Sequence, residues 1–215
     1  MAADPVGNVY DKYGTQNPLA AAMMRGFLQS VTGLYAGVAP RSVLEVGCGE
    51  GRLATHLLRN APRPARFVAS DVSLAVVDRD IDPMIELREA SALDLPFADR
   101  SFDLVVCCEV LEHLRDPRRG LDEVTRVARR AVLISTPREP LWRALNVARG
   151  RYLCALGNTP GHVQHFSRRA LERLASLSLR VVERRSPPPW TVLLGVPLRA
   201  AGPPSAAKHQ PRRER

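Results

Sequence analysis

The stretch from Ser42 to Gly51 constrains the fold of this chain more than any other feature. It reads SVLEVGCGEG, a short apolar run containing one acid and then three glycines at alternate positions. The apolar part predicts a buried strand, and Arg52–Leu58 predicts a helix. Glycine adopts positive φ readily and has no Cβ to keep a ligand away from the backbone. The stretch therefore predicts a strand, a tight turn and a helix that together form a cradle for a nucleotide-like ligand.

Beyond this turn, apolar runs alternate with segments of helical spacing. A helix at Leu19–Leu34 precedes the turn. Further strands are predicted at Arg66–Asp71, Met84–Ala90, Phe102–Cys108, Ala131–Ser135, Leu179–Glu183 and Thr191–Val196. Further helices are predicted at Val72–Arg79, after Pro117, and at Arg168–Leu177 behind a Ser167 cap. This alternation is typical of an α/β fold with a doubly wound, mostly parallel sheet.

Composition narrows the class of protein. The 31 basic and 22 acidic residues leave a net charge of +9, but the surplus is mostly arginine, and five basic residues against one acid fall in residues 199–215. We therefore read the charge as compositional and do not predict nucleic acid as a partner. None of the four cysteines forms a CxxC pair, so we expect reduced thiols and neither a disulfide framework nor a metal site. No secretion signal or long apolar run is apparent, which predicts a cytoplasmic protein without a transmembrane segment.

Residues with binding chemistry follow four predicted strands. They are Glu45 with the glycines, Asp71, Ser91–Ala92 and Glu109–His113. The carboxyl ends of parallel strands share one crevice, where ligands bind. Asp71 lies 20 residues beyond Gly51, a spacing that suits an acid binding both hydroxyls of a ribose. The turn is GxGxG rather than GxGxxG, and no basic residue is placed for a pyrophosphate. The pattern therefore favours an adenosine ligand without phosphates.

Three motifs carry a resemblance to a known family. Val43–Gly51 resembles the first motif of class I S-adenosylmethionine-dependent methyltransferases. Ala92–Asp103 resembles the segment leading into their fourth strand. Glu109–Leu114 is similar to the segment after that strand in the small-molecule branch that includes quinone-biosynthesis methyltransferases. The resemblance covers roughly residues 40–136. It implies a Rossmann-like methyltransferase fold with seven strands, of which the last is antiparallel.

The resemblance also implies a set of cofactor-binding residues. They are Glu45, Gly47, Cys48, Gly49, Gly51, Asp71, Val72, Ser91, Ala92, Leu93 and Glu109. The glycines would let the backbone approach the cofactor, Asp71 would bind the ribose, and Glu109 would lie near the sulfonium and methionine end. Val72, Ala92 and Leu93 would contact adenine. Many relatives have aspartate where this chain has Ser91, which implies a weaker contact to the adenine amino group.

Three histidines are candidates for an acceptor-side base, namely His113, His162 and His165. A histidine with a pKa near neutrality can remove a proton from a hydroxyl or amine. His113 either lies at the substrate mouth or caps a turn. The other two either act in catalysis or anchor the loop before Ser167, and we place His165 first because Phe166 would fix its backbone. Glu112 is expected to be an exposed acid at the start of a helix.

The residue pattern and the resemblance together predict a part for each segment of the chain. Residues 1–40 form a helical lead-in, whose part at 10–17 is a candidate lid, and residues 41–136 form the cofactor-binding core. Residues 137–167 form a variable acceptor cover, residues 168–197 the closing helix and strands, and residues 198–215 a disordered basic tail. Apolar side chains of the cover, Leu141, Trp142, Leu145, Tyr152 and Leu153, either face an apolar acceptor or pack on the sheet.

The predicted reaction is direct in-line methyl transfer to a small acceptor through O-, C- or N-attack. Because the sulfonium is already an activated leaving group, alignment and exclusion of water suffice, and no base is obligatory. An RNA or protein methyltransferase and a cofactor-binding regulator without turnover remain as alternatives. Contact with a membrane surface and the oligomeric state are left open.

Overall fold

The computed structural model describes residues 15–148, 150 and 152–198. The strands are β1 (Ser42–Val46), β2 (Arg66–Asp71), β3 (Ile85–Glu89), β4 (Phe102–Cys108), β5 (Ala128–Pro137), β6 (Leu179–Arg185) and β7 (Trp190–Pro197). The α-helices are α1 (Pro18–Val38), α2 (Arg52–Asn60), α3 (Pro117–Val127), α4 (Leu141–Ala148) and α5 (Arg168–Ser176). Short 3-10 helices cover Leu111–His113 and Leu153–Ala155. The predicted basic tail beyond Leu198 and most of the candidate lid lie outside the described residues.

The strands form one seven-stranded sheet in the order β3-β2-β1-β4-β5-β7-β6. Pairings among β1 to β5 are parallel, whereas β7 runs antiparallel to both β5 and β6. This confirms the predicted α/β architecture with an antiparallel last strand. The order reverses direction beside β1, so the carboxyl ends of β1, β2 and β4 meet at a topological switch point, where such sheets bind ligands.

Two apolar layers cover the two faces of the sheet. On one face, α1 and α2 pack through residues such as Phe27 and Leu57 against Phe67 and Leu104 of the sheet. On the other face, α3 and α5 pack through residues such as Leu121 and Leu171. All seven residues of β4 are buried, as expected for a central parallel strand covered on both sides. The two layers hold the strand ends in fixed positions.

Local capping explains where three of the helices start. The Asn17 side chain accepts hydrogen bonds from Leu19 and Ala20 at the start of α1. Asp116 accepts from the Arg119 N–H, with Pro117 in the first turn of α3. Ser167 accepts from the Ala170 N–H, which confirms the predicted cap of α5. These side chains satisfy backbone donors that a helix start leaves without an internal partner.

The helix predicted at Val72–Arg79 is wrong. The chain from β2 to β3 contains turns and no helix. The Asp78 N–H donates to the Glu50 carbonyl in the glycine turn, and the Ile81 side chain packs over Gly51. The segment also carries several β-branched residues, which lower helix propensity. Contacts with the glycine turn therefore outweigh the helical spacing.

Within the part of the chain that the structure describes, no helix combines the length and the apolar character that spanning a bilayer requires.

Candidate active site

The glycine turn after β1 is held by hydrogen bonds from its own backbone to β2. The N–H groups of Gly47 and Cys48 both donate to the Ser70 carbonyl, at 2.7 and 3.0 Å. The Gly49 N–H donates to Asp71 Oδ2 at 2.9 Å. Three backbone N–H groups of the turn therefore tie it to the carboxyl end of β2.

Backbone geometry and neighbouring side chains both require glycine in this turn. Gly47, Gly49 and Gly51 have φ values of 74°, 52° and 76°, in the left-handed region that other residues avoid. A Cβ on Gly47 would overlap the Val110 side chain, and one on Gly51 would lie 2.5 Å from Ile81 Cδ1. The glycines therefore have a structural role besides any approach to a ligand.

Replacing Gly47 with alanine is expected to destabilise the protein by about 2 kcal/mol or more, because left-handed strain adds to the overlap with Val110. Urea unfolding measures the loss. In a double-mutant cycle, Val110→Ala should restore the part that comes from the overlap. Gly37→Ala is the matched control, because a Cβ there meets nothing within 4 Å and the change should be neutral or slightly stabilising. An equal loss at both glycines would contradict this account.

Glu45 is a carboxylate buried inside the sheet. It is 3% exposed, and its Oε2 is buried without a hydrogen-bond partner. Burial is the main cause that raises the pKa of this carboxyl to about 8, and the nearby charge of Asp71 raises it further, whereas a hydrogen bond from the Ala54 backbone lowers it. A positive charge in the crevice would reverse much of this effect.

The charges around the turn are acidic. Burial raises the pKa of the Cys48 thiol, and the charged neighbours that raise it further are Glu45, Asp71 and Glu50. Cys48, Cys107 and Cys108 are buried, whereas Cys154 is exposed. An acidic crevice of this kind favours a cationic ligand and disfavours phosphate.

The residues predicted to contact adenine lie after β2 and β3. Val72 is exposed, and it follows Asp71 directly at the end of β2. The Ser91 hydroxyl accepts a hydrogen bond from the Leu93 N–H at 3.2 Å, so that side chain is engaged within its own turn. Ala92 is buried, and the Leu93 carbonyl accepts from Arg119 Nε. The end of β2 is thus followed by the exposed apolar side chain of Val72, and the end of β3 by a turn in which Ser91 and Leu93 are hydrogen-bonded.

Glu109 joins the ends of three strands. Its φ is 61°, which turns the chain sharply at the end of β4. Its Oε1 accepts from the Ser135 hydroxyl at 3.1 Å, and its Oε2 accepts from Trp190 Nε1 at 2.8 Å. Trp190 is buried between Phe27 and Trp142. Sequence reasoning missed Trp190, because only the preceding prolines marked its position.

The structure brings two of the three candidate histidines together. The rings of His113 and His162 meet edge to face, with centroids 4.8 Å apart. The expectation of an exposed Glu112 is wrong, since this residue is 1% exposed and lies beside both rings. The 3-10 turn at Leu111–His113 folds inward, and the Glu112 carbonyl accepts from the Val163 and Gln164 N–H groups.

His165 takes a different position from the one that sequence reasoning favoured for a base. Its side chain is exposed, and its Nε2 lies 2.9 Å from Asn158 Oδ1. This hydrogen bond closes the loop before α5, which is the anchoring role considered as the alternative. His113 and His162, by contrast, lie together after the end of β4.

Trp142 links the cover segment to this site. Its side chain is buried, its Nε1 donates to Thr159 Oγ1 at 2.8 Å, and its ring stacks on His162 with centroids 6.4 Å apart. Leu153 and Leu156 of the same segment are exposed by 56% and 72%. One side of the cover thus packs inward, while other apolar side chains remain open to the surroundings.

Comparison with known proteins places the central part of the chain in a known domain type. Residues 44–134 match the family model described as a methyltransferase domain. A demethylmenaquinone methyltransferase of Clavibacter sepedonicus is 35% identical in an alignment of 150 residues, and the match covers 65% of this chain and 59% of that protein. A malonyl-acyl-carrier-protein O-methyltransferase of Hahella chejuensis is 33% identical in an alignment of 115 residues, and the match covers 52% of this chain and 41% of that protein. The chain thus spans about half the length of these curated relatives.

The fold is also similar to that of solved methyltransferases. The N-methyltransferase NodS of Bradyrhizobium japonicum, crystallised with S-adenosyl-L-homocysteine, is 19% identical with a TM-score of 0.63. The match covers 88% of this chain and 93% of NodS. This likeness confirms the predicted Rossmann-like methyltransferase fold.

Proposed function

We propose, from the methyltransferase domain that residues 44–134 carry, that the protein moves a methyl group from S-adenosylmethionine to a small, apolar acceptor. The observation that supports the donor best is the acidic crevice at the switch point of the sheet. Glu45 lies in β1 one residue before its end, Asp71 ends β2 and Glu109 follows β4, and these three strands are adjacent and parallel. The pKa of Glu45 is raised to about 8 by burial and by Asp71. Such a site suits a ligand with a sulfonium and an ammonium group.

Each cofactor contact is assigned to a residue of the strand ends. Asp71, oriented by its hydrogen bond from Gly49, binds the ribose hydroxyls. The backbone of the glycine turn, including Cys48, lies against the methionine and ribose parts, with Glu45 near the amino group. Glu109, held by Trp190 and Ser135, faces the sulfonium end.

The adenine base has its own set of contacts. Val72 and Leu93 lie against the ring, and the Ala92 N–H donates to it. The Ser91 hydroxyl is engaged by the Leu93 N–H. It therefore gives a weaker contact to the adenine amino group than an aspartate would.

The acceptor binds between the cofactor core, residues 41–136, and the cover, residues 137–167. Exposed apolar side chains of the cover, Val147, Leu153 and Leu156, support an apolar acceptor. The similarity to a demethylmenaquinone methyltransferase supports a small molecule. In the protein without a bound metal ion, His113 or His162 takes the acceptor's proton as the methyl group moves in line from sulfur to the nucleophile.

Two measurements test this function. Calorimetry with S-adenosylmethionine and the full chain should show binding, and a wild type that binds neither the cofactor nor its demethylated product would refute the proposal. Radiolabelled cofactor is then added to fractionated lysate, and the label should enter the organic extract. Label found only in RNA or only in protein would show that the acceptor is not a small molecule. Cofactor binding without transfer of label to any fraction would favour a regulator without turnover. Lysate treated with the Asp71→Ala variant gives the background level of label incorporation.

A further inference from the structure

Glu112, His113 and His162 bring their side chains together at the carboxyl end of β4. One ligand-type atom from each, a carboxylate oxygen and two imidazole nitrogens, lies within 4.8 Å of the other two. The segments that supply them are 49 residues apart in the sequence, and backbone hydrogen bonds from Val163 and Gln164 to the Glu112 carbonyl hold them together. The spacing of these three residues in the sequence does not match a metal-binding motif, so the sequence did not indicate this cluster.

We propose that Glu112, His113 and His162 form a binding site for a divalent first-row transition metal ion. Two imidazoles and one carboxylate are a donor set suited to Zn²⁺, Co²⁺, Fe²⁺ or Mn²⁺, and the nitrogen donors disfavour Mg²⁺. Three protein ligands leave at least one coordination position for water, or for an oxygen or nitrogen atom of a bound molecule.

The hydrogen bonding of His113 prepares its ring for this role. Its Nδ1 lies 3.0 Å from the Gly161 carbonyl oxygen. Since a carbonyl can only accept, Nδ1 must carry the proton, and Nε2 of the neutral ring keeps its lone pair for a ligand. Histidines that bind metals almost always donate their other ring N–H to a carbonyl or carboxylate in this way. We therefore assign Nε2 of His113 as the ligand atom, which makes the Gly161 carbonyl its outer hydrogen-bond partner.

The other two ligands are also fixed by their surroundings. The stacked Trp142 ring limits the orientation of His162. The Thr159 hydroxyl, which accepts from Trp142 Nε1, also accepts from the buried Asn146 side chain. Both carboxylate oxygens of Glu112 are buried, and a buried carboxylate is stabilised by a nearby positive charge. A divalent ion supplies that charge and ties the cover to the end of β4.

The site is tested without any methyl donor, so its failure is separate from failure of the proposed function. The full chain without a histidine tag is stripped with EDTA, dialysed, and titrated with Co²⁺ by visible absorption and with Zn²⁺ by calorimetry. We expect one ion per chain, with imidazole-type d–d bands for Co²⁺ and much weaker binding of Mg²⁺. Absence of binding, with the three side chains acting only as a hydrogen-bonded cluster, would overturn the proposal.

Variants then locate the ion. His162→Ala and Glu112→Gln should each weaken binding by about 100-fold or more, since loss even of an outer hydrogen-bond partner costs 10- to 100-fold. His165→Ala is the matched control, because this histidine lies in the same loop, is exposed and contacts Asn158. It should bind the ion as the wild type does. Equal binding by the wild type and His162→Ala, or an equal loss in His165→Ala, would refute the assignment.

Thermal unfolding with and without Zn²⁺ distinguishes loss of the metal site from misfolding of a variant. Zn²⁺ should raise the thermal midpoint of the wild type and of His165→Ala, because an ion that binds the native state stabilises it. The same ion should not raise the midpoint of His162→Ala. Each variant must show a cooperative transition without metal, and His162→Gln replaces any variant that does not.

Discussion

The free energy of unfolding of the ligand-free protein should fall as the pH rises from about 5 to 8, by up to ~4 kcal/mol from Glu45 alone. The pKa of this carboxyl is raised from 4.5 to about 8 by burial and by Asp71. The unfolded chain therefore releases the proton near pH 4.5, whereas the folded chain keeps it until about pH 8. The stability contribution of the protonated form is complete below the lower pKa and is lost as the pH rises through the upper one.

Urea unfolding at several pH values measures this dependence. Glu45→Gln, which cannot ionise, should remove most of the fall and be more stable than the wild type near pH 8. Glu86→Gln is the control, because the pKa of that exposed carboxyl is lowered by its hydrogen bond with Arg66. Glu86 is therefore ionised in both states across this range, and its replacement should leave the slope unchanged. A wild-type slope that survives in Glu45→Gln would contradict the prediction.

The same carboxyl connects cofactor binding to pH. A cationic ligand favours the ionised form of Glu45, so binding near pH 7 should release protons to the buffer. Calorimetry with S-adenosylmethionine in buffers of different ionisation enthalpy measures the number released. Glu45→Gln should bind more weakly and release fewer protons. Proton uptake by the wild type would count against a cationic group beside this residue.

Asp71→Ala should weaken S-adenosylmethionine binding by about 100-fold or more, because two hydrogen bonds to a charged acceptor contribute at least ~3 kcal/mol together. The change also removes the acceptor of the Gly49 N–H, which orients the glycine turn. Calorimetry on both proteins gives the ratio of the dissociation constants.

A ligand with one ribose hydroxyl removed sharpens the assignment of Asp71. The 2′-deoxy analogue should bind the wild type more weakly than the parent compound, whereas Asp71→Ala should bind the two almost equally. Asp78→Ala is the matched control on the same segment. Its half-buried ion pair with Arg52 contributes ~1 kcal/mol or less, so affinity should change by less than about 5-fold. Equal discrimination by the wild type and Asp71→Ala would place the ribose elsewhere.

Much of the α/β core could be predicted because its pattern is local. Nearly continuous apolar runs such as β4 are typical of buried parallel strands, and a short motif such as the glycine turn marks where a strand ends. Capping residues such as Ser167 act within their own first turn. The error at Val72–Arg79 arose where a local pattern competed with contacts to a distant segment, since Ile81 packs on Gly51.

By itself, the sequence determined where the candidate binding residues lie relative to the predicted strands. Glu45 precedes the glycines, Asp71 ends the second strand, and Glu109 follows the fourth. Only the tertiary structure decided which distant side chains meet there. It brought Trp190 to Glu109 at 2.8 Å across 81 residues of chain, and His162 to His113 and the buried Glu112. The physical reason is that helices, strands and turns depend mainly on residues close together in the sequence. Contacts between distant segments depend instead on how the helices and loops pack against the sheet.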